Sequence, residues 1–467
     1  MTPPAVPAAL HPLVAAFLGD RDAVRAALHR FGSPLHLVFP QVFEANLAAL
    51  RAVSDAGAAR YRICYAHKVN NSAAFVRTAA GAGIAVDVSS VQELRSALAA
   101  GFPPDRIEVT GPKGGGLLRA ALAAGVTVNA DNLWELEQLA ELATTNVAVL
   151  LRVSGFAGSA TSRFGVDLSE VDRAFDLLVR HRERLRFLGV AFHLDTAATA
   201  ERVLAVGDCL DLIERAYARD LAPTVLDVGG GLRQVFTADA ANYDAYDAAL
   251  RAGLLGHGEA MHWGANTFGY HVADGIAHGS PVFHKYANTE PAAAILAELL
   301  TAPLPGHGGR ALGTVLADNL LEMWLEPGKA LVDQAGITVA QVEFVKRAGN
   351  GARLVHLDLS RDTVTAADQE VLIDPIVLAE RPESGAVGVY FAGHLCLERD
   401  LITQRVVRIA GLPAPGDPVV FANTAAYHTD LSAAQAGMHP LPAKVAVLHH
   451  DGGFVLCPDG DYRPEAR

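Results

Sequence analysis

Eight short apolar runs, each handing over to a different kind of segment, constrain this chain more than any other feature. They are YRICYA, GIAVDV, IEVTG, VTVNA, VAVLLRV, LGVAFHL, TVLDVGG and MWLEPG. Between most of them lie Ala- and Leu-rich stretches of helical periodicity, such as SVQELRSALAAG, GLLRAALAAG and NLWELEQLAELA. A strand followed by a helix, repeated in units of ~30 residues, is the pattern of parallel βαβ repeats. Eight such strands within ~300 residues predict an α/β fold closed into a (β/α)8 TIM barrel rather than an open sheet.

From about residue 337 the texture changes. GITVAQVEFVKRA, ARLVHLDLS, GAVGVYFAG, LITQRVVRIA, DPVVFANT and KVAVLHH read as strands with no helix between them. Turn residues separate them in GNG, PAPGD and DGG, which predicts an antiparallel β-barrel or sandwich. PLHLVF, residues 34 to 39, is a further strand placed ahead of the first helix. The expected division is an N-terminal segment, 1–36, lending a strand to the β domain, then a barrel, 37–335, then the β domain, 336–467. Residues from about 254 to 290 interrupt the barrel as an insertion that holds His257, His262, Trp263, His271, His278, His284 and Lys285. The histidine spacing follows no compact ligand motif, so no metal centre is expected, and the stretch reads as a polar, aromatic-bearing loop or lid.

Charge and cysteine usage exclude several classes. The formal net charge is −13 with no basic cluster, which argues against a nucleic-acid partner. No apolar run approaches the ~20 residues needed to span a bilayer. The N-terminus lacks a basic region before its apolar residues and makes a poor signal peptide. Cys64, Cys209, Cys396 and Cys457 are far apart and show no metal spacing, as expected of reduced thiols in a cytoplasmic protein.

In a (β/α)8 barrel the functional groups come from the carboxyl ends of the strands. At those ends stand Lys68, Asp87, Arg152, His193, the glycines Gly229, Gly230 and Gly231, and Glu326. Any one of them alone has an ordinary structural explanation. Together they bring a lysine, a histidine, a glutamate and a glycine nest to one mouth. A lysine at the end of an apolar strand needs a partner, because burying an unpaired ammonium is costly. A glycine nest offers backbone N–H groups to an anion. A phosphate beside a reactive lysine points to pyridoxal 5′-phosphate (PLP) held through the lysine amine.

The segments YAHKVN, VDVSSVQEL, AAGFPPDRIEVTGPKG, SRFGV, FHLDT, LDVGGG, LEPGKALVDQAG, GHLCLERD and GDPVVFANTAAY occur in that order. In sequence and order they resemble the fold-III PLP-dependent decarboxylases, the group of diaminopimelate, ornithine and arginine decarboxylases. The resemblance runs from about residue 34 to 445, outside the histidine-bearing insertion, and implies a barrel of the alanine-racemase type. It implies that Lys68 forms the internal aldimine, that His193 stacks on the cofactor ring, and that Glu326 pairs with the ring nitrogen in decarboxylation through a quinonoid intermediate. By the same resemblance Gly229, Gly230, Gly231, Thr196, Lys329 and Tyr427 surround the phosphate, and Asp87 and Arg152 lie near the lysine and the ring hydroxyl. Arg163 matches the basic residue of the family's S-[KR]-F-G segment, and Cys396 matches a cysteine that reaches into a partner subunit's site. A homodimer with shared active sites and a small-molecule substrate, an amino acid or amino-acid conjugate, are implied, with Glu398 and Asp400 as nearby substrate-binding groups. Two positions depart from the pattern. Lys329 stands where the family has arginine, which keeps the charge and loses the bidentate fork. Leu397 stands where an acidic residue usually meets the substrate's distal amine. The alternatives are an amino-acid racemase of the related fold and a catalytically silent PLP-binding homologue.

Overall fold

The computed structural model describes residues 4–58, 60–196, 198–282, 287–365, 373–379, 385–432 and 434–464, so that His284 and Lys285 lie outside the described residues. The chain forms two compact units, each assembled from separate stretches of sequence.

One unit takes Glu44–Leu232 and Pro291–Leu331, with the last residues of the chain. Its strands are Tyr61–Ala66, Ala85–Val88, Ile107–Val109, Thr127–Ala130, Val147–Ser154, Leu185–Ala191, Val225–Asp227 and Glu322–Leu325. Each pairs in parallel with the next, and Glu322–Leu325 returns to pair with Tyr61–Ala66, which closes the barrel. All eight apolar runs named above are therefore barrel strands. Their continuous apolar character follows from closure, which buries both faces of a parallel sheet.

The helices begin where short polar side chains can cap them. Ser72 accepts from the Phe75 N–H at 3.3 Å, Ser90 from Glu93 at 3.1 Å, and Asn132 from Glu135 at 3.0 Å. These caps start the helices Ala73–Gly81, Val91–Ala99 and Leu133–Leu142, and each satisfies an N–H that the first turn leaves unpaired.

The other unit takes Met1–Phe43, Arg233–Glu290 and Val332–Tyr462. Its nine-stranded sheet runs in the order Val407–Ile409, Val387–Ala392, Arg353–Leu357, Gly336–Arg347, Leu35–Val38, Ala443–His450, Gly453–Pro458. Pro418–Phe421 and Ile376–Val377 branch from Gly336–Arg347. Most pairs are antiparallel. Leu35–Val38 with Ala443–His450, and Arg353–Leu357 with Val387–Ala392, are parallel. The core of the sheet gathers Val355, Leu357, Val389, Phe391, Val407 and Val419.

The stretch 233–290 contains the helix Ala240–Leu254 and a hairpin of His271–Ala273 with Ile276–His278. Its Tyr243, Tyr246, Leu250, Met261 and Phe268 pack with Val6, Ile373 and Ala422. Arg405, fully buried, pairs with Asp374 at 2.9 Å and lies 5.0 Å from the centre of the Tyr246 ring. That shared apolar cluster groups the stretch with the β strands. Among the described residues no helix is long and apolar enough to cross a membrane.

Candidate active site

Side chains alternate between the two faces of a strand, so every second residue of a barrel strand points inward. Cys64, Ala85, Leu150, Ala191, Val225 and Trp324 pack together as one interior layer. Two residues further along the same strands come Ala66, Asp87, Arg152, His193, Asp227 and Glu326. One small residue apart, that second layer is polar. Glu108 joins it, because the register sets Asp87 opposite Glu108 on the neighbouring strand. Lys68 is two residues beyond Ala66, in a single turn of 3₁₀ helix, His67–Val69.

Lys68 Nζ donates to Asp87 Oδ2 at 2.8 Å; the lysine side chain keeps 32% exposure and the aspartate none. Burial pushes Asp87 up to about 7, although the Lys68 ammonium favours its charge. Burial likewise lowers His193. The Gly230 N–H donates to His193 Nδ1 at 3.2 Å, so Nδ1 is an acceptor and the neutral ring carries its proton on Nε2. Glu326 is buried. Burial opposes its charge, yet the charges around it hold it below the usual carboxylate range. His193 Nδ1 is 3.9 Å from Glu326 Oε2 and already engaged by Gly230, so the charges of Lys68 and Arg152, rather than a hydrogen bond from His193, favour the Glu326 anion. Burial first, then Glu326, push Glu108 and Asp227 well above the usual carboxylate range.

Gly229 and Gly231 have φ of +69° and +79°. A Cβ on Gly229, Gly230 or Gly231 would run into the carbonyl oxygen of Phe192, Glu326 or Leu194 respectively, so the turn can be built only from glycine. The Gly229 N–H donates to Asp227 Oδ1 at 2.8 Å. Two of the three nest donors are thus engaged inside the protein, and Gly231 is the one left for a ligand among the described residues. Thr196 Oγ1 accepts from the Ala198 N–H at 3.1 Å. Lys329 pairs with the exposed Asp195 at 2.7 Å. Arg152 is 3.8 Å from Asp131 and lies over Phe164, whose ring also carries Arg163 at 4.0 Å.

The remaining expected residues belong to the β unit. Cys396 is an exposed free thiol, and Glu398 is exposed. Asp400 is buried and accepts from the Arg361 N–H at 2.6 Å and the Leu395 N–H at 2.7 Å. It braces its own loop rather than offering an oxygen to a ligand. Tyr427 adopts φ +67°, a left-handed backbone that is strained for a residue with a side chain.

Sequence reading alone missed Glu108 and Asp227, and also Arg202, a buried arginine that donates to the Leu194 carbonyl close to Gly231. A charge within or closing a three-residue strand, as in IEV and VLD, signalled a buried polar group without showing which way it faces. The donor set suits a phosphate-bearing aldehyde with a basic ring nitrogen. It combines an amine, a glycine turn that no side chain could fill, a flat neutral imidazole and a buried anion. Asp87 Oδ1, Glu108 Oε2 and Asp227 Oδ2 are buried polar atoms with no hydrogen-bond partner among the described residues, as a site built for more than packing would have.

Comparison with known proteins agrees with this chemistry. The family described as pyridoxal-dependent decarboxylase, pyridoxal binding domain, matches residues 44–257. The uncharacterised protein y4yA of Sinorhizobium fredii is 32% identical over 92% of this chain and 91% of its own length. Diaminopimelate decarboxylase of Methanothermobacter thermautotrophicus is 25% identical over 92% of this chain and 90% of its own. The crystal structure of diaminopimelate decarboxylase from M. jannaschii shares the fold, with a TM-score of 0.69 at 18% identity over 93% of this chain and 91% of that one. A PLP-binding barrel joined to a mostly antiparallel β unit defines the class. The chain belongs to the fold-III pyridoxal-dependent decarboxylase family, as a divergent member, and the family's cofactor is PLP.

Proposed function

We propose that this protein is a PLP-dependent decarboxylase that removes the α-carboxylate of an amino acid or amino-acid conjugate. The observation that carries the reading is Glu326, a buried carboxylate held ionised in the same polar layer as Asp87 and His193. When bound, PLP supplies an electron sink for the pair left behind as carbon dioxide departs.

The chain's own groups would serve as follows. Lys68 would hold the cofactor through its amine. A carboxyl near neutrality 2.8 Å from Nζ can take the ammonium proton, so Asp87 would keep that amine nucleophilic. Glu326 would present a fixed negative charge that keeps a ring nitrogen protonated. His193, with Nδ1 fixed by Gly230, offers a flat neutral face for stacking. The Gly231 N–H, the Thr196 hydroxyl and the Lys329 charge would bind phosphate, with Tyr427 from the β unit and Arg152 near the ring hydroxyl. Cys396 would act in the site of a partner subunit, and the enzyme would be a homodimer. Leu397, where the family resemblance expects an acid, disfavours a substrate ending in a plain amine such as ornithine or lysine, and favours a larger or anionic tail. Glu398 is the exposed acid that remains beside it.

The test is chemical. Borohydride treatment of PLP-loaded protein followed by peptide mapping should place the cofactor mass on Lys68, and Lys68→Ala should lose both the mass and the visible absorbance. Carbon dioxide release from a panel of amino acids and conjugates should then follow. An unlabelled Lys68 would refute the reading, and racemisation without carbon dioxide release would replace it with the racemase. Best turnover of unmodified ornithine or lysine would refute the substrate class.

A further inference from the structure

Three carboxyl groups sit inside the barrel so close together that three uncompensated negative charges would repel strongly. One oxygen from each of Glu108, Asp227 and Glu326 lies within 4.8 Å of the others, and all three residues are buried. They come from three strands, Ile107–Val109, Val225–Asp227 and the end of Glu322–Leu325, so barrel closure alone brings them together.

Their partners divide them. Glu108 Oε1 accepts from Asn129 Nδ2 at 2.8 Å, which fixes the carboxyl plane. Glu108 Oε2 is buried and has no hydrogen-bond partner among the described residues. Asp227 Oδ1 accepts from the Gly229 N–H, its Oδ2 has no donor among the described residues, and the Asp227 carboxyl is close enough to Glu326 to share a hydrogen bond with it. An ionised carboxylate is acceptor-only, so as anions both groups leave an oxygen unsatisfied in a cluster of three carboxyls. As acids, each gains an O–H donor, and the ionised Glu326 is an acceptor beside them. A buried carboxylic acid kept neutral so that it can donate a hydrogen bond is established chemistry elsewhere.

We propose that Glu108 is a neutral carboxylic acid that donates its proton-bearing Oε2 toward the Glu326 carboxylate and thereby sets that anion's basicity. Asn129 and the Glu108 carboxyl form a relay anchored on the Thr127–Ala130 strand, with Asp227 as the second acid of the trio. The titratable and charged groups that face Glu108 are Glu326, Asp87, Asp227, Lys68 and the Cys64 thiol. Burial, then Glu326 and Asp87, push Glu108 toward the acid form, while Asn129 and Lys68 oppose it. Glu108 is a positioning residue: it acts on the cofactor through Glu326. A donor aimed at an anion lowers the anion's proton affinity, so Glu108 would moderate how strongly Glu326 holds a proton on whatever ring nitrogen it faces. The inference rests on the PLP reading for its consequence and stands apart from it for the protonation state.

The experiment has two readouts. In cofactor-free protein at neutral pH, an infrared difference spectrum of wild type minus Glu108→Gln should show a protonated-carboxyl carbonyl band. A difference spectrum with carboxylate bands instead, or a divalent cation isolated with the trio, would overturn the proposal. In PLP-loaded protein, the pH midpoint of the bound-cofactor absorbance should rise by about one pH unit in Glu108→Leu. It should stay at the wild-type value in Glu108→Gln, whose amide still donates. Equal shifts in both variants would overturn the proposal, because charge rather than a donor would then be what was lost. If Glu108→Leu does not fold, the Gln variant and the infrared band decide. If the protein takes up no PLP, the decarboxylase reading fails, and the infrared result still tests Glu108.

Discussion

Asp333 shows how far burial alone can move a side chain in this protein. Its carboxyl accepts from the Val235 N–H at 3.0 Å and from Asn423 Nδ2 at 2.8 Å, contacts that favour the charge. Burial outweighs them and pushes the group up to about 7. In the unfolded chain the same carboxyl ionises near pH ~4. Between those values the folded state holds the extra proton, so stability falls as pH rises through the window. Urea unfolding of wild type and Asp333→Asn between about pH 5 and about pH 7 should show wild type losing up to about 1.4 kcal/mol per pH unit against the variant. Parallel profiles would place the ionisation elsewhere. At this scale the sequence speaks through strand ends. Lys68, His193 and Glu326 could be picked out because each polar residue closes an apolar run. Glu108 could not, because the inward or outward sense of a three-residue strand is invisible until its neighbour fixes the register.

The elements are held by pairs that span a turn. Lys113 Nζ meets Glu135 Oε2 at 2.9 Å, with both side chains fully buried. Glu135 also accepts from the Lys113 N–H at 2.7 Å and the Asp131 N–H at 2.9 Å, while Lys113 Nζ donates to the Asn129 carbonyl at 2.6 Å. The pair therefore ties the loop after Ile107–Val109 to the start of the helix Leu133–Leu142. Removing one partner strands the other charge inside the protein. Glu135→Ala should cost about 3–5 kcal/mol in denaturant unfolding. A loss under about 1 kcal/mol would mean that the lysine finds water or sheds its proton. The helix itself was legible in NLWELEQLAELA. The two-residue strand Ile376–Val377 and the last strand, Gly453–Pro458, were not read from the sequence. The first is too short to show alternation. The second, GFVLCP, follows a turn and acquires its role only by pairing with Ala443–His450.

For the whole molecule the proposed shared site makes a direct prediction. Mixing the separately inactive Lys68→Ala and Cys396→Ala proteins should restore part of the wild-type activity, since a mixed dimer of C₂ type would hold one site with neither substitution. No recovery after subunit exchange would count against Cys396 acting across an interface. The barrel was foreseeable because eight strand–helix units admit few other topologies. The partition of the chain was not. Residues 233–290 pack by Tyr243, Tyr246 and Phe268 against Ile373 and Ala422, more than a hundred positions away in sequence. Local pattern by itself determined the eight barrel strands, the amine at the end of the first barrel strand and the glycine turn, because each depends on neighbours along the chain. Only the tertiary structure decided that Asp87, Glu108, Asp227 and Glu326 would share one buried layer. Their proximity depends on register and closure, and their charge depends on the burial that closure creates.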